Sequence, residues 1–170
     1  MLKTYAKILG QHAASILDRI TDGGPFLSRF RDLPRERIVC ELAVSIDFEG
    51  FLVEDRKKVG GYLVCGAVRY DDIRPLLADV AAHLGLDEAI LETEAGPQDI
   101  LDEFLNIVIG LTGADWAEHG FEMSFSTPNI LSGQLLPPSQ PGDQAFHVAV
   151  SAETGLQVDI VLVFNDHNGR

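Results

Sequence analysis

Residues 99–110 read DILDEFLNIVIG, a run that is apolar around most of a helix yet keeps Glu103 and Asn106 among Ile, Leu, Phe and Val. At about 100° per residue, Asp99, Glu103, Asn106 and Gly110 fall within roughly 60° of one another. They form one narrow stripe. Nearly all the remaining circumference is apolar, so the helix is expected to pack on several sides, with the stripe as its window to solvent. Asn and Gly cost about 0.7 and 1 kcal/mol relative to Ala in a helix interior, so an ordinary solvated stripe would carry Lys, Glu or Gln instead. Asn106 offers an acceptor and two donors on a short arm, Glu103 a carboxylate one turn earlier, and Gly110 room for a partner. With 11 Glu and 4 Asn in the chain, one E-x-x-N arises by chance about a quarter of the time. The spacing alone therefore leaves both a plain helix surface and a functional stripe open.

Outward from this helix the pattern is α+β. Residues 4–20 repeat apolar positions at helical spacing, with Thr4 as the expected cap and TDGGP as the stop. After a polar stretch containing Pro34, a strand is expected from about Arg37 to Phe48. The hydrophilic connection EDRKKVGG then leads to a second strand, YLVCGAVRY. Asp71 or Asp72 caps a helix through IRPLLADVAAHLGL, with Pro75 placed in its first turn and Gly85 closing it. A short acidic helical piece, DEAILETEAG, precedes Pro97 and a helix over about Gln98–Thr112. The last third is β-rich: GFEMSFS, a turn-like TPNILSG, a Pro-rich loop, then AFHVAVSAE and GLQVDIVLVFN, which Gly155 joins as a hairpin. The order predicts a mainly antiparallel sheet flanked by long helices. Each half is a helix followed by strands, which suggests a degenerate internal duplication, although no sequence repeat proves it.

The 170 residues suit a single domain spanning 1–170. Thirteen Lys and Arg against 26 Asp and Glu leave a formal charge of −13, which repels phosphate backbones and anionic membrane surfaces. Cys40 and Cys65 sit in strand-like apolar runs without zinc-ligand spacing and read as buried reduced thiols. No apolar stretch approaches the ~20 residues needed to span a bilayer, and the first 20 residues lack a signal-like apolar core, so the expected location is the cytoplasm. The five histidines show no paired ligand spacing and are expected at the surface or its boundary. Trp116 is expected in the core or at its rim.

Together, Asp99, Glu103, Asn106 and Gly110, followed by STPNILSG with Pro128 and Gly133, resemble the D/S-x-x-x-E-x-x-N … P pattern of the CheC/CheX/FliY chemotaxis phosphatases. The likeness spans about Leu86 to Phe164 and is nearest to CheX-like members, which carry one such motif. It implies the CheC-like α+β fold, a homodimer, and a hydrolase that speeds loss of the aspartyl phosphate from a CheY-type receiver domain. Glu103 would pair with a receiver lysine and Asn106 would position the attacking water. Asp99, Gly110 and Pro128 would shape the docking face. No cofactor would be bound by this chain, because the Mg2+ belongs to the receiver. Phe104 and Leu105 are bulkier than the small residues usual between the Glu and Asn. This departure, with the acidic surface, keeps a second reading open: a non-catalytic binding or scaffold domain in the same kind of signalling. A third, a structural dimerisation module, requires Glu103 and Asn106 to be buried and bonded internally.

Overall fold

A computed structural model describes residues 2–33, 39–126, 129–131 (backbone only) and 143–165. The elements run α1 (Leu2–Ile20), β1 (Phe26–Asp32), β2 (Leu42–Leu52), β3 (Lys57–Ala67), α2 (Tyr70–His83), a short 3-10 helix (Glu88–Glu92), α3 (Gly96–Glu118), β4 (Phe121–Phe125), β5 (Asn129–Leu131), β6 (Gln144–Ala152) and β7 (Gln157–Asn165). The strands form a single sheet in the order β1-β6-β7-β3-β2-β4, with β5 paired to β2, and every pairing is antiparallel. The expected α+β class, with long helices on an antiparallel sheet, is what forms.

Period-two alternation decides which face is covered. Leu42, Val44, Ile46 and Phe48 of β2, Leu63 and Cys65 of β3, Phe146, Val148 and Val150 of β6, and Val158, Ile160, Leu162 and Phe164 of β7 join the buried residues of all three helices in one core. Residues between them point to the other face, where Ala43, Val64, Val161 and Val163 pack with Cys40 in a smaller cluster. The β6–β7 hairpin turns at Gly155, whose φ of +92° favours glycine, and Gly85 at φ +75° ends α2, both at the expected positions.

Five aromatic rings lie under the helices. Tyr5, Phe48, Trp116, Phe121 and Phe164 pack with neighbouring centroids 5.1–6.4 Å apart. Trp116 is fully buried, and its Nε1 donates to the Tyr5 carbonyl at 2.9 Å. The Tyr5 hydroxyl in turn donates to the His119 carbonyl at 3.0 Å. Farther along, His12 of α1 meets Asp115 of α3 at 2.7 Å. These contacts tie α1 to the C-terminal half of α3.

Several boundaries differ from expectation. Helix α1 starts at Leu2, so Thr4 lies inside it and does not cap it. Strand β1 falls in the stretch expected to be irregular, and β3 begins five residues early, at Lys57, because the β2–β3 hairpin turns within residues 53–56. Helix α2 starts at Tyr70, one residue before the expected Asp cap, and this places Pro75 beyond the first turn, where its side chain is exposed. Helix α3 continues past Thr112 to Glu118, since Trp116 extends its buried side by another turn. Pro128, Gly133 and the Pro-rich run after it lie outside the described residues.

His147 is buried, not superficial. It lies 2.7 Å from Asp159, itself buried, across the β6–β7 hairpin. Arg31 Nε donates to His147 Nδ1 at 2.9 Å, so Nδ1 must accept and Nε2 must carry the proton given to Asp159. The imidazole thereby links edge strand β1 to β6 and β7.

Both cysteines are free and buried. Burial first, then the Asp159 charge, pushes the Cys40 thiol up to about 11, and burial raises Cys65 further, with Asp159 and Cys40 adding to it. Thiolate is the reactive form. We expect an aromatic disulfide reagent at pH 8 to label neither thiol in the native protein and both after denaturation. Rapid native labelling of either would contradict this packing.

Candidate functional site

The sequence around α3 fixes its start, its depth and its one open side. Gly96 N–H donates to Thr93 Oγ1 at 3.0 Å, and a Cβ on Gly96 would meet the Ile90 carbonyl oxygen at 1.8 Å. Only glycine allows the 3-10 helix to fold this closely against the first turn of α3. Pro97 follows in the first turn, where its missing N–H costs nothing, and Asp99 adds a favourable negative charge there. From that start Ile100, Leu101, Phe104, Leu105, Val108, Ile109, Thr112 and Trp116 are buried. Thr112 is accommodated because its hydroxyl donates to the Val108 carbonyl at 2.7 Å.

On the opposite side Asp99, Glu103 and Gly110 are exposed and Asn106 is half-buried. The expected window is present. Among the described residues, neither the Glu103 carboxylate nor the Asn106 amide has a hydrogen-bond partner. Phe104 and Leu105 are wholly buried, so their bulk fills the core and leaves the window clear. Among the described residues, a Cβ on Gly110 would meet nothing within 4 Å, so their packing does not require glycine there. Leu111, next to Gly110, is 43% exposed.

One further side chain belongs to this face. Asp102 is half-buried, and its Oδ1 is enclosed by protein with no hydrogen-bond partner among the described residues. Burial, and then the neighbouring Glu103 and Asp99 carboxylates, hold its carboxyl above the usual range. Periodicity alone did not single it out, since its depth depends on what packs beside α3. Of the residues proposed from the sequence, Asp99, Glu103, Asn106 and Gly110 share the stripe, whereas Pro128 falls outside the described residues. Chemically the stripe supplies carboxylates and one amide that can accept and donate at once. It holds no hydroxyl, thiol or amine nucleophile.

No family model matches the chain, and no curated protein matches it in sequence. Solved structures do. A chemotactic CheC-like protein from Shewanella oneidensis matches with a TM-score of 0.73 at 15% identity, over 97% of this chain and 100% of that one. The chain has the CheC-like fold. CheX from Vibrio vulnificus shares it with a TM-score of 0.69 at 17% identity, over 95% and 99% of the two chains. So does the structure of a CheX–CheY–BeF3–Mg2+ complex from Borrelia burgdorferi, at 0.64 and 14% identity, over 95% and 97%. Within the CheC-like fold, the α3 window of this chain is carried on a helix supported by α1, α2 and the sheet.

Proposed function

We propose that this chain docks on a phosphorylated CheY-type receiver domain and accelerates hydrolysis of its aspartyl phosphate. The observation that carries this reading is the pair Glu103 and Asn106. Glu103 is exposed and Asn106 half-buried, and among the described residues neither has a hydrogen-bond partner, on the open side of a helix that is otherwise largely buried. Their accessibility argues against the structural dimerisation reading, which needed them buried and bonded. The fold shared with CheX, including one CheX captured with CheY, supports the choice of partner.

The chemistry asks little of the protein. An acyl phosphate is already labile, and phosphoryl transfer is promoted mainly by positioning and charge stabilisation. Asn106 would accept a hydrogen from the attacking water and hold it in line with phosphorus, while Glu103 would pair with a receiver lysine. The Mg2+ that neutralises phosphoryl charge would belong to the receiver. In binding terms, Glu103 sets registration and Asn106 sets rate.

The decisive measurement is the lifetime of phospho-receivers from the same genome with catalytic amounts of this protein. A lifetime equal to spontaneous decay for every receiver would sink the reading. Tight receiver binding with an unchanged lifetime would favour the non-catalytic scaffold instead.

Gly110 gives a separate check. Alanine there meets nothing within 4 Å among the described residues and is a better helix former, so Gly110→Ala should stabilise the fold by about 1 kcal/mol. If a receiver approaches the helix closely at this point, the added methyl should weaken docking while stability rises. Urea unfolding and receiver titration separate the two.

A further inference from the structure

From Pro75 to Gly169 the sequence holds 15 Asp and Glu and no Lys or Arg. The cation that precedes this stretch, Arg74, is held by Glu88 at 3.0 Å and Glu92 at 2.7 Å. Asp102 therefore lies on a face with no cation of its own helix to meet it, and among the described residues no donor reaches its enclosed Oδ1. Besides the Asp99 and Glu103 carboxylates, its neighbours along the helix include two amides. Gln98, Asp102 and Asn106 stand four residues apart in one row along α3, and all three are half-buried, unlike the exposed Asp99 and Glu103 beside them. Side chains four apart on a helix face are adjacent, and amide–carboxylate hydrogen bonds form readily at this spacing.

We propose that Asp102 is a positioning residue for the dephosphorylation reaction: on receiver docking its carboxylate takes an N–H of the Asn106 amide and turns the Asn106 Oδ1 outward. This role rests on the reading given under Proposed function. An unrestrained amide presents either end, and the NH2 end would donate to the water and occupy the lone pair needed for attack. With its nitrogen held by Asp102, Asn106 accepts from the water and leaves that lone pair aimed at phosphorus. The water oxygen then bonds to phosphorus as the bond to the receiver carboxylate oxygen breaks. The bonding pair leaves with that carboxylate, and the proton of the former water passes to the released phosphate or to solvent.

The arrangement carries its own pH signature. The charges that act on Asp102 are Glu103 and Asp99 on α3, and among the described residues no charged group of α1, α2, the 3-10 helix or the sheet adds to them. Burial and these two carboxylates raise its proton affinity. Once protonated, Asp102 can donate its O–H to the Asn106 Oδ1, and this presents the wrong end of the amide. Activity at saturating receiver should therefore fall as pH drops through the raised Asp102 range.

The test measures kcat and KM for a phospho-receiver with the wild type, Asp102→Asn, Asp102→Ala and Asn106→Ala across pH. We expect both Asp102 variants to lose tenfold or more in kcat with KM within twofold, and the acid limb of wild-type kcat to disappear in Asp102→Asn. Urea unfolding verifies that they are folded, as removing one of three clustered carboxylates should relieve repulsion. Wild-type kcat and acid limb retained in both Asp102 variants, with Asn106→Ala inactive, overturn this role and leave the phosphatase reading standing. A wild type that does not accelerate hydrolysis overturns both.

Discussion

Replacing Asn106 by alanine is expected to return the lifetime of a docked phospho-receiver to its spontaneous value without loosening the fold. The side chain is half-buried, has no hydrogen-bond partner among the described residues and sits in the middle of α3, so its loss leaves none of their donors or acceptors unpaired. Alanine is the better helix former by about 0.7 kcal/mol, and the midpoint of urea unfolding should hold or rise. The rate has no such insurance. Misplacing a reacting group by about 1 Å can cost 100-fold, and an alanine cannot hold the water at all. Loss of about 100-fold or more, with receiver binding retained through Glu103, is the outcome that matches the proposed role. Undiminished acceleration would remove Asn106 from the chemistry.

Trp116→Ala is expected to have the largest effect on stability. The indole is fully buried among Tyr5, Phe48, Phe121 and Phe164, and its Nε1 is satisfied by the Tyr5 carbonyl at 2.9 Å. Truncating a core aromatic of this size costs about 3–5 kcal/mol, out of a total stability of about 5–15 kcal/mol for an ordinary domain. At about 2–4 °C per kcal/mol, Tm should fall by about 6–20 °C. Trp116→Phe should lose less, since it keeps much of the volume and gives up the hydrogen bond. Calorimetry or urea unfolding checks both. A drop of under 1 kcal/mol for the alanine variant would mean that the aromatic cluster does not pack as described.

Sequence patterning revealed what one chain segment could decide alone. The stripe on α3 was legible because helical spacing separates Asp99, Glu103, Asn106 and Gly110 from a nearly continuous apolar surface. The β6–β7 hairpin was legible from two apolar runs around Gly155. Strand β1 was not, because an edge strand is paired on one side and half exposed. Phe26 is buried, but Leu27, Arg29, Arg31 and Asp32 face solvent, and the stretch reads as polar. Strand β5 spans three residues inside a turn-like sequence, too short for any period to register. The Lys57–Lys58 start of β3 was hidden by charge.

At the candidate site the limit was depth. Gln98 and Asp102 look like ordinary helix-surface residues until their neighbours half-cover them, and sequence spacing does not report that. The His147–Asp159 pair needed the hairpin register, which brings two residues twelve apart together across adjacent strands. Charge placement is legible as well: 12 of the 13 cationic residues lie before Pro75, and this marks the α3 half of the chain as anionic.

The reciprocal Tyr5, Trp116 and His119 hydrogen bonds act on α3 as a key acts on a shaft. They set its rotational phase. Each residue of helix is worth about 100° of turn, so one residue inserted between Asn106 and Trp116 cannot leave both in place. If the aromatic lock wins, Asn106 and Glu103 rotate off the open side while every residue type in the motif survives. The proposed function of this helix is thus stored as an angle, and a one-residue insertion near Gly110–Gly113 should silence it more thoroughly than most substitutions on the same face.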